Sequence, residues 1–191
     1  MTDQLFAEIH TLADFSEEDI RLFVSKFEEV FIPKGEHFLV AGQISKSIGY
    51  IQSGLTMHYS IHNGNEIPCD FTEENEWVAY LKSFTTGTVS DMYIKALEDT
   101  HIWSLTSIRM NELFTCQPKF MALRNYYTEL AFIRNAEHAA NLATLQAKQR
   151  YDKFRMQRSG LINRVPQYHI AAYLGIQPQS LSRLRNEKST S

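Results

Sequence analysis

The spacing of apolar positions changes twice along the chain, and each pattern predicts a kind of element. In residues 3–30 they fall three or four apart, which predicts two short amphipathic helices, the second capped by Ser16. From about residue 30 to 107, short runs of β-branched and aromatic residues alternate with glycines, a pattern typical of a small antiparallel barrel or jelly roll. The helical period then returns after Thr106-Ser107, and Pro118 lies near the start of a long segment that runs towards Phe154.

The glycine-punctuated region predicts seven strands. They are Glu29–Ile32, His37–Val40, Ser47–Ile51, Leu55–Ile61, Glu66–Phe71, Met92–Ala96 and Thr100–Leu105. Between the fourth and fifth strands, Asn63-Gly64 supplies the two positive-φ residues of a type I′ hairpin turn. We therefore expect an α+β chain with a β-barrel near its N-terminus.

The long helical segment carries one apolar stripe that needs a partner. Its members lie three or four residues apart and are Leu123, Tyr127, Leu130, Ile133, Ala136, Ala140 and Ala143. The stripe could lie on the chain's own barrel, or it could pair with the same helix of a second copy. We favour the second copy, because small alanines permit close approach and one barrel covers only part of so long a helix.

The C-terminal segment has the spacing of a helix-turn-helix. Pro166 is placed to start a helix, and Gly175 can end it in the left-handed conformation. In the pattern Ala171-x3-Gly175-x5-Leu181, a small residue lies where two helices touch and an aliphatic residue locks the second against the first. The inner faces then take Ile170, Leu174 and Leu184 as well.

The outward residues of this segment are of types that reach base edges and phosphates. The predicted DNA-binding residues are Gln167, Tyr168, His169, Gln177, Gln179, Ser180, Ser182, Arg183, Arg185 and Lys188, with Asn186 on the same face. Charge supports this prediction, because residues 141–191 hold 9 Lys and Arg against 2 Asp and Glu, whereas residues 1–140 hold 10 against 20. The net charge of −3 conceals a basic segment joined to an acidic body.

Composition excludes several other classes. No stretch approaches the roughly 18 consecutive apolar residues that would span a bilayer, and the N-terminus lacks a signal-peptide pattern, so we expect a cytoplasmic protein. The two cysteines, Cys69 and Cys116, are too few and too far apart for a zinc site or an iron–sulfur cluster. No phosphate loop, nucleophile elbow or metal-ligand spacing is present, so we expect neither an enzyme nor a bound cofactor.

The order of parts resembles the CRP/FNR family of bacterial transcription regulators over nearly the whole chain. The likeness is sharpest in RVPQYHIAAYLGIQPQSLSRLR, residues 164–185, which looks like the form found in Bacteroidetes-type bacteria. The segments Ile32-Pro33-Lys34-Gly35 and Tyr50-Ile51-Gln52-Ser53-Gly54 also match the layout of the family's cyclic-nucleotide-binding-like barrel. The resemblance implies a double-stranded β-helix (jelly-roll) sensor domain at 1–115, a dimerisation helix at 116–147 and a helix-turn-helix domain at 148–191. It further implies a homodimer that binds double-stranded DNA. RNA polymerase is a further candidate partner.

The match fails where a cyclic nucleotide would bind. Val78-Ala79-Tyr80 stands for the family's glycine-glutamate segment, and Ser90-Asp91 stands where an arginine would neutralise the cyclic phosphate. A carboxylate there repels phosphate, so we expect no cyclic AMP binding, although Lys82 or Lys95 could substitute for the missing cation. The expected lining of any effector pocket is Phe71, Trp77, Val78, Ala79, Tyr80, Phe84, Ser90, Asp91 and Met92, side chains that could equally form core.

Histidines offer no metal site in the sequence, because His58 and His62 would lie about 13 Å apart on one strand. We therefore expect a homodimeric DNA-binding transcription regulator whose effector, if it has one, is not identified by the residues. The alternative is a small-molecule-binding or protein-interaction module with a vestigial helix-turn-helix. This alternative is kept open because the terminal segment lacks a clear β-hairpin wing.

Overall fold

The structure, a computed structural model, describes residues 3–12 and 14–186 and divides them into two compact units. The first unit contains the described residues up to His58 together with Phe71–Glu129. The second contains Tyr59–Asp70 and the described residues from Leu130 onward. The tip of one β-hairpin is therefore grouped with the C-terminal helices, although some 60 residues separate them in the chain.

Two short helices begin the described chain, as the apolar spacing predicts. They are α1 (Asp3–Leu12) and α2 (Glu17–Ser25). Ser16 caps α2, because its side chain accepts a hydrogen bond from the Asp19 backbone N–H while the Asp19 carboxylate accepts one from the Ser16 backbone. The predicted start of α2 is thereby confirmed.

Eight strands follow in two antiparallel four-stranded sheets. They are β1 (Glu28–Ile32), β2 (His37–Leu39), β3 (Ser47–Ser53), β4 (Thr56–His62), β5 (Asn65–Thr72), β6 (Trp77–Val78), β7 (Tyr93–Ala96) and β8 (Thr100–Thr106). The strand orders are β1-β8-β3-β6 and β2-β7-β4-β5. All seven predicted strands are present with ends within two residues, whereas the two-residue β6 was not predicted because it is too short to show a period.

The hairpin between β4 and β5 has the predicted turn. Asn63 (φ 50°) and Gly64 (φ 78°) both adopt positive φ, as a two-residue type I′ connection requires. One apolar cluster of the first unit is drawn from six of the strands and consists of Ile32, Leu39, Ile51, Val78, Ile94, Ala96 and Ile102. A second cluster joins α1, α2 and later helices to the sheet around Phe23, Tyr50 and Phe120.

Six further helices complete the described chain. They are α3 (Leu81–Thr86), α4 (Ser107–Cys116), α5 (Met121–Thr144), α6 (Ala147–Gln157), α7 (Gln167–Tyr173) and α8 (Pro178–Asn186). Short 3₁₀ segments at Pro118–Phe120 and Ser159–Asn163 precede α5 and α7. No helix in residues 3–12 and 14–186 combines the length and the apolar character needed to cross a bilayer.

The helical segment that runs from Pro118 towards Phe154 contains two helices. Helix α5 ends at Thr144, and Gln146 is extended (φ −73°, ψ 158°) before α6 begins. The Gln149 side-chain oxygen accepts a hydrogen bond of 2.9 Å from the Gln146 backbone N–H, which caps the new helix. A capping interaction made by glutamine leaves no mark on the apolar period, so the break was not visible in the pattern.

Candidate nucleic-acid interface and effector region

A tight turn joins α7 to α8 in the second unit. Gly175 has φ +63°, and its N–H donates to Ala172 O at 3.0 Å while the Ile176 N–H donates to Ala171 O at 2.9 Å. This pair of bonds is the Schellman arrangement, which needs a left-handed residue and so favours glycine. Ala171 and Leu181 are fully buried, as the predicted spacing requires.

One face of α8 carries solvent-exposed polar and basic side chains. Gln179, Ser182, Arg183 and Asn186 are exposed, and their spacing of three or four residues places them on a single side of the helix. Gln177, immediately before the helix, is exposed as well. Ser180 and Arg185 flank this face and are half-buried. The face therefore offers donors and acceptors of the kind that read base edges.

The predicted residues of α7 behave differently from one another. Gln167 is exposed, and Tyr168 is 59% exposed at the start of the helix. His169 is only 2% exposed, and its Nε2 lies 3.6 Å from Glu66 Oε2. The expectation that His169 faces the DNA backbone was wrong, since it points to the inner side of the second unit beside a carboxylate. Lys188 lies outside the described residues.

The C-terminal helices form a strongly basic surface. From residue 147 to 186 there are 8 Lys and Arg and a single acidic residue, Asp152, which gives +7. Arg155, Arg183 and Lys148 are among the exposed cations. Phosphate backbones attract such a cluster at long range, with no requirement for sequence.

The hairpin tip is joined to the helices of the same unit by an ion pair. Asp70 at the end of the tip lies 2.9 Å from Arg134 of α5, and its side chain is largely buried whereas that of Arg134 is half-buried. Beside them, Tyr173 of α7 stacks on His138 of α5 with ring centroids 4.0 Å apart. Burial, with the Asp70 charge, raises the pKa of Tyr173 to about 12, and burial lowers the pKa of His138. This cluster holds α7 in place without using its outward face.

The apolar stripe of α5 divides into an inward and an outward part. Leu123 is buried and Tyr127 packs against the cluster of the first unit, so these two members lie on the chain's own body. The other five members are exposed, and they are Leu130, Ile133, Ala136, Ala140 and Ala143. Phe132, beside them, is 72% exposed. A continuous apolar surface of this kind on a helix is typical of a protein interface.

The aromatic residues of the expected effector region pack into the core of the first unit. Trp77 lies 5.3 Å from Tyr50 and 5.4 Å from Tyr127, measured between ring centroids. The Tyr127 hydroxyl donates to Glu8 Oε2 at 2.8 Å, and burial with this carboxylate holds the pKa of Tyr127 well above its usual range. Phe71 and Val78 are buried and Phe84 packs against the same cluster as Trp77.

The residues that the sequence comparison with the family assigned to the cyclic-phosphate position are bonded within the chain. The Asp91 carboxylate accepts hydrogen bonds from the Tyr80 hydroxyl at 2.5 Å and from Lys82 Nζ at 3.2 Å. These bonds lower the pKa of Asp91, the Tyr80 bond most. Ser90 is buried and bonds to the Met92 carbonyl, while Ala79 and Met92 are half-buried. The structure thus gives Lys82 a partner within the chain.

Two cavities of the first unit lie apart from the residues of the expected effector pocket. One of about 540 Å³ is lined by Phe38, Leu39, Val89 and the segment 42–47. The other, of about 500 Å³, is polar and is lined by Asp14, Ser16, Glu18, Asp19, Leu22, Gln117 and Lys119. Neither contains a residue of the expected effector lining.

Neither a protein-family model nor a curated protein sequence matches the chain. Solved structures do. The c-di-GMP-responsive global regulator CLP of Xanthomonas campestris is 14% identical, with 92% of each chain covered and a TM-score of 0.70. FixK2 of Bradyrhizobium japonicum is 16% identical over 86% of this chain and 85% of its own, with a TM-score of 0.72. The catabolite activator protein of Thermus thermophilus is 20% identical over 94% and 86%, with a TM-score of 0.57. These proteins are CRP/FNR-family transcription regulators, and the chain has their fold.

Proposed function

We propose that the chain is a DNA-binding transcription regulator of CRP/FNR type. The observation that carries the proposal is the exposed face of α8, where Gln179, Ser182 and Arg183 stand out from a helix set at a left-handed glycine turn. A helix presented in this way can enter the major groove, and Arg can pair bidentately with guanine. The basic charge of the surrounding helices adds the non-specific attraction that brings a duplex to this face.

Duplex binding as a function of salt tests this proposal. A site selected from random duplex by the wild type should bind with a log-log salt slope of several units, because each neutralised phosphate contributes about 0.9. Arg183→Ala should weaken that site by about 1–3 kcal/mol and leave random DNA almost unchanged. Arg21→Ala is the matched control, since Arg21 is an exposed arginine of the acidic body, paired with Glu17. If no duplex binds above the random level, the chain is instead an interaction module with a vestigial helix pair.

We further propose that two copies pair through the exposed part of the α5 stripe. The alanines at 136, 140 and 143 leave room for two backbones to approach, and Ile133 supplies an aliphatic contact. A two-fold dimer of this kind would present two α8 helices to successive turns of one face of the duplex. Light scattering at micromolar concentration should therefore give twice the mass of the 22.1 kDa chain.

The regulator is proposed to act without cyclic AMP. Asp91 takes the position where the phosphate charge would lie, and it engages Lys82, one of the two lysines that could have replaced the missing arginine. A phosphate entering there would be repelled by the Asp91 carboxylate, and Lys82 is already paired with that carboxylate. Isothermal titration should show no heat of binding with cyclic AMP at millimolar concentration, and micromolar affinity would refute this part of the proposal.

A further inference from the structure

Arg150 lies in the first turn of α6 and contacts three carbonyls in two separate pieces of backbone of the second unit. Its Nε donates to Leu174 O at 2.7 Å, its Nη1 to Leu145 O at 2.5 Å and its Nη2 to Gly175 O at 3.4 Å. Leu174 is the C-cap residue that follows α7, and Gly175 comes next, in the turn that leads to α8. Leu145 follows the last residue of α5. One guanidinium thus joins the end of α5 to the turn between α7 and α8.

The chemistry of these acceptors suits arginine and no other side chain. Carbonyls at helix C-termini lack partners within the helix and carry the negative end of its dipole, so a cation beside them is stabilising. The planar guanidinium presents five N–H donors in a fixed fork, which lets it reach three carbonyls that face it from different directions. A lysine ammonium keeps the charge but is a point donor on a flexible stem, and it cannot hold the three at set distances.

Neighbouring contacts bring the same pieces together. A Cβ placed on Gly175 would lie 3.2 Å from Leu142 Cδ2, so the turn sits directly against the last turns of α5. On the other side of the junction, Lys153 of α6 donates to the Asn141 side-chain oxygen at 3.2 Å. The end of α5, the start of α6 and the α7–α8 turn therefore form one packed junction with Arg150 at its centre.

We infer that Arg150 is a positioning residue that sets the direction of α8 relative to the end of α5. The inference rests on the proposed function, because it matters only if α8 reads DNA and α5 pairs with a second copy. In a two-fold dimer, the direction of each α8 from its own α5 determines the distance between the two reading helices. Arg150 therefore selects the spacing of the two DNA half-sites, although it does not contact the bases.

The test compares spacer lengths. Each duplex carries the two half-sites that the wild type selects. The spacer between them is either unchanged or changed in length by one or two base pairs. For the wild type, we expect the altered spacers to bind about tenfold more weakly, a loss comparable to one mismatched base pair. Arg150→Gln and Arg150→Lys should reduce that discrimination to about twofold while each half-site alone keeps its affinity. A side chain needed only for folding would weaken all spacers equally.

Arg155→Gln is the matched control, because it removes one exposed positive charge from the same helix and leaves the junction intact. Its affinity loss measures the effect of charge alone and is subtracted from that of Arg150→Gln. If Arg150→Gln loses helical circular dichroism, Arg150→Lys, which keeps the charge, carries the comparison. Spacer discrimination in both Arg150 variants within about twofold of the wild type value overturns the inference.

A second measurement separates failure of the inference from failure of the proposed function. Amide exchange followed by mass spectrometry should be faster in peptides covering 142–146 and 173–177 of Arg150→Gln, and unchanged in Arg155→Gln, whether or not DNA binds. A wild type that binds no duplex refutes the proposed function. Exchange in the junction that is the same in Arg150→Gln and the wild type refutes the positioning role itself.

Discussion

Substituting the turn glycine, Gly175→Ala, probes whether the α7–α8 turn has the geometry that the proposed reading helix requires. Gly175 has φ +63°, and an alanine in the left-handed region costs about 1–2 kcal/mol. The new Cβ would also lie 3.2 Å from Leu142 Cδ2, the far end of a flexible side chain, which can move at a cost of about 0.5 kcal/mol. Together we expect a loss of about 1.5–2.5 kcal/mol in the stability of the turn.

Gly87→Ala separates these two contributions. Gly87 ends α3 with a similar φ of 69°, but a Cβ there would have nothing within 4 Å. It should therefore cost only the backbone part, about 1–2 kcal/mol, so the difference between the two variants measures the contact with Leu142. Gly87 belongs to the first unit, which also contains both tryptophans, Trp77 and Trp103, so its effect is followed by fluorescence in denaturant.

Amide exchange in α7 and α8 reports the Gly175→Ala effect in the second unit. A loss of 1.5–2.5 kcal/mol corresponds to exchange about ten- to seventyfold faster at protected amides, since 1.36 kcal/mol is a factor of ten. Tryptophan fluorescence should be almost unchanged, because neither tryptophan lies in the second unit. Exchange within twofold of the wild type would show that the residue need not be left-handed, and the Schellman turn would be refuted.

Three further predictions concern charge. Ile133→Glu puts a carboxylate of each copy into the proposed contact between the two α5 helices and should weaken the dimer by about 2 kcal/mol or more. Light scattering should show this as a shift to monomer, and an unchanged dimer would refute this contact. Hydrogen bonds from Lys119 and Ser16 hold the pKa of Asp19 well below its usual range. The Asp19 carboxylate therefore stabilises the fold fully above the carboxyl pKa of the unfolded chain, and this stabilisation is lost as the pH falls through the carboxyl pKa of the folded chain. Asp19→Asn should therefore be less stable than the wild type in denaturant at pH 7, with the gap closing below about pH 4. Asp70→Asn removes the partner of Arg134, 2.9 Å away, and should cost about 2 kcal/mol, read by faster amide exchange in α5 than in the wild type.

Much of the fold could be predicted from local patterns, because those patterns depend on neighbours in the chain. Alternation and glycine spacing located all seven predicted strands, and Ser16, Asn63 and Gly175 marked a cap and two turns where the structure has them. These signals survive in the fold because capping bonds and positive φ are satisfied within a few residues. The two-residue β6 and the six-residue α3 gave no period long enough to detect.

The candidate site could be predicted only in part, since exposure is decided by contacts distant in sequence. His169 looked like a polar residue at a helix start, yet a carboxylate from the hairpin tip, Glu66, lies beside it. Arg150 gave no signal, because the sequence does not show that the α7–α8 turn lies beside it. Leu123 and Tyr127 belong to the same apolar stripe as Ile133, but only packing separates the inward members from the outward ones.

The sequence by itself determined the kinds of element, their order, the division of charge between an acidic body and a basic end, and the turn at Gly175. Each of these follows from residue type and from interactions between close neighbours. Tertiary structure alone decided which part of the α5 apolar stripe is covered, that Asp91 is engaged by Tyr80 and Lys82, and that Arg150 joins the end of α5 to the α7–α8 turn. Those outcomes depend on which distant groups meet, and periodicity along a chain carries no information about them.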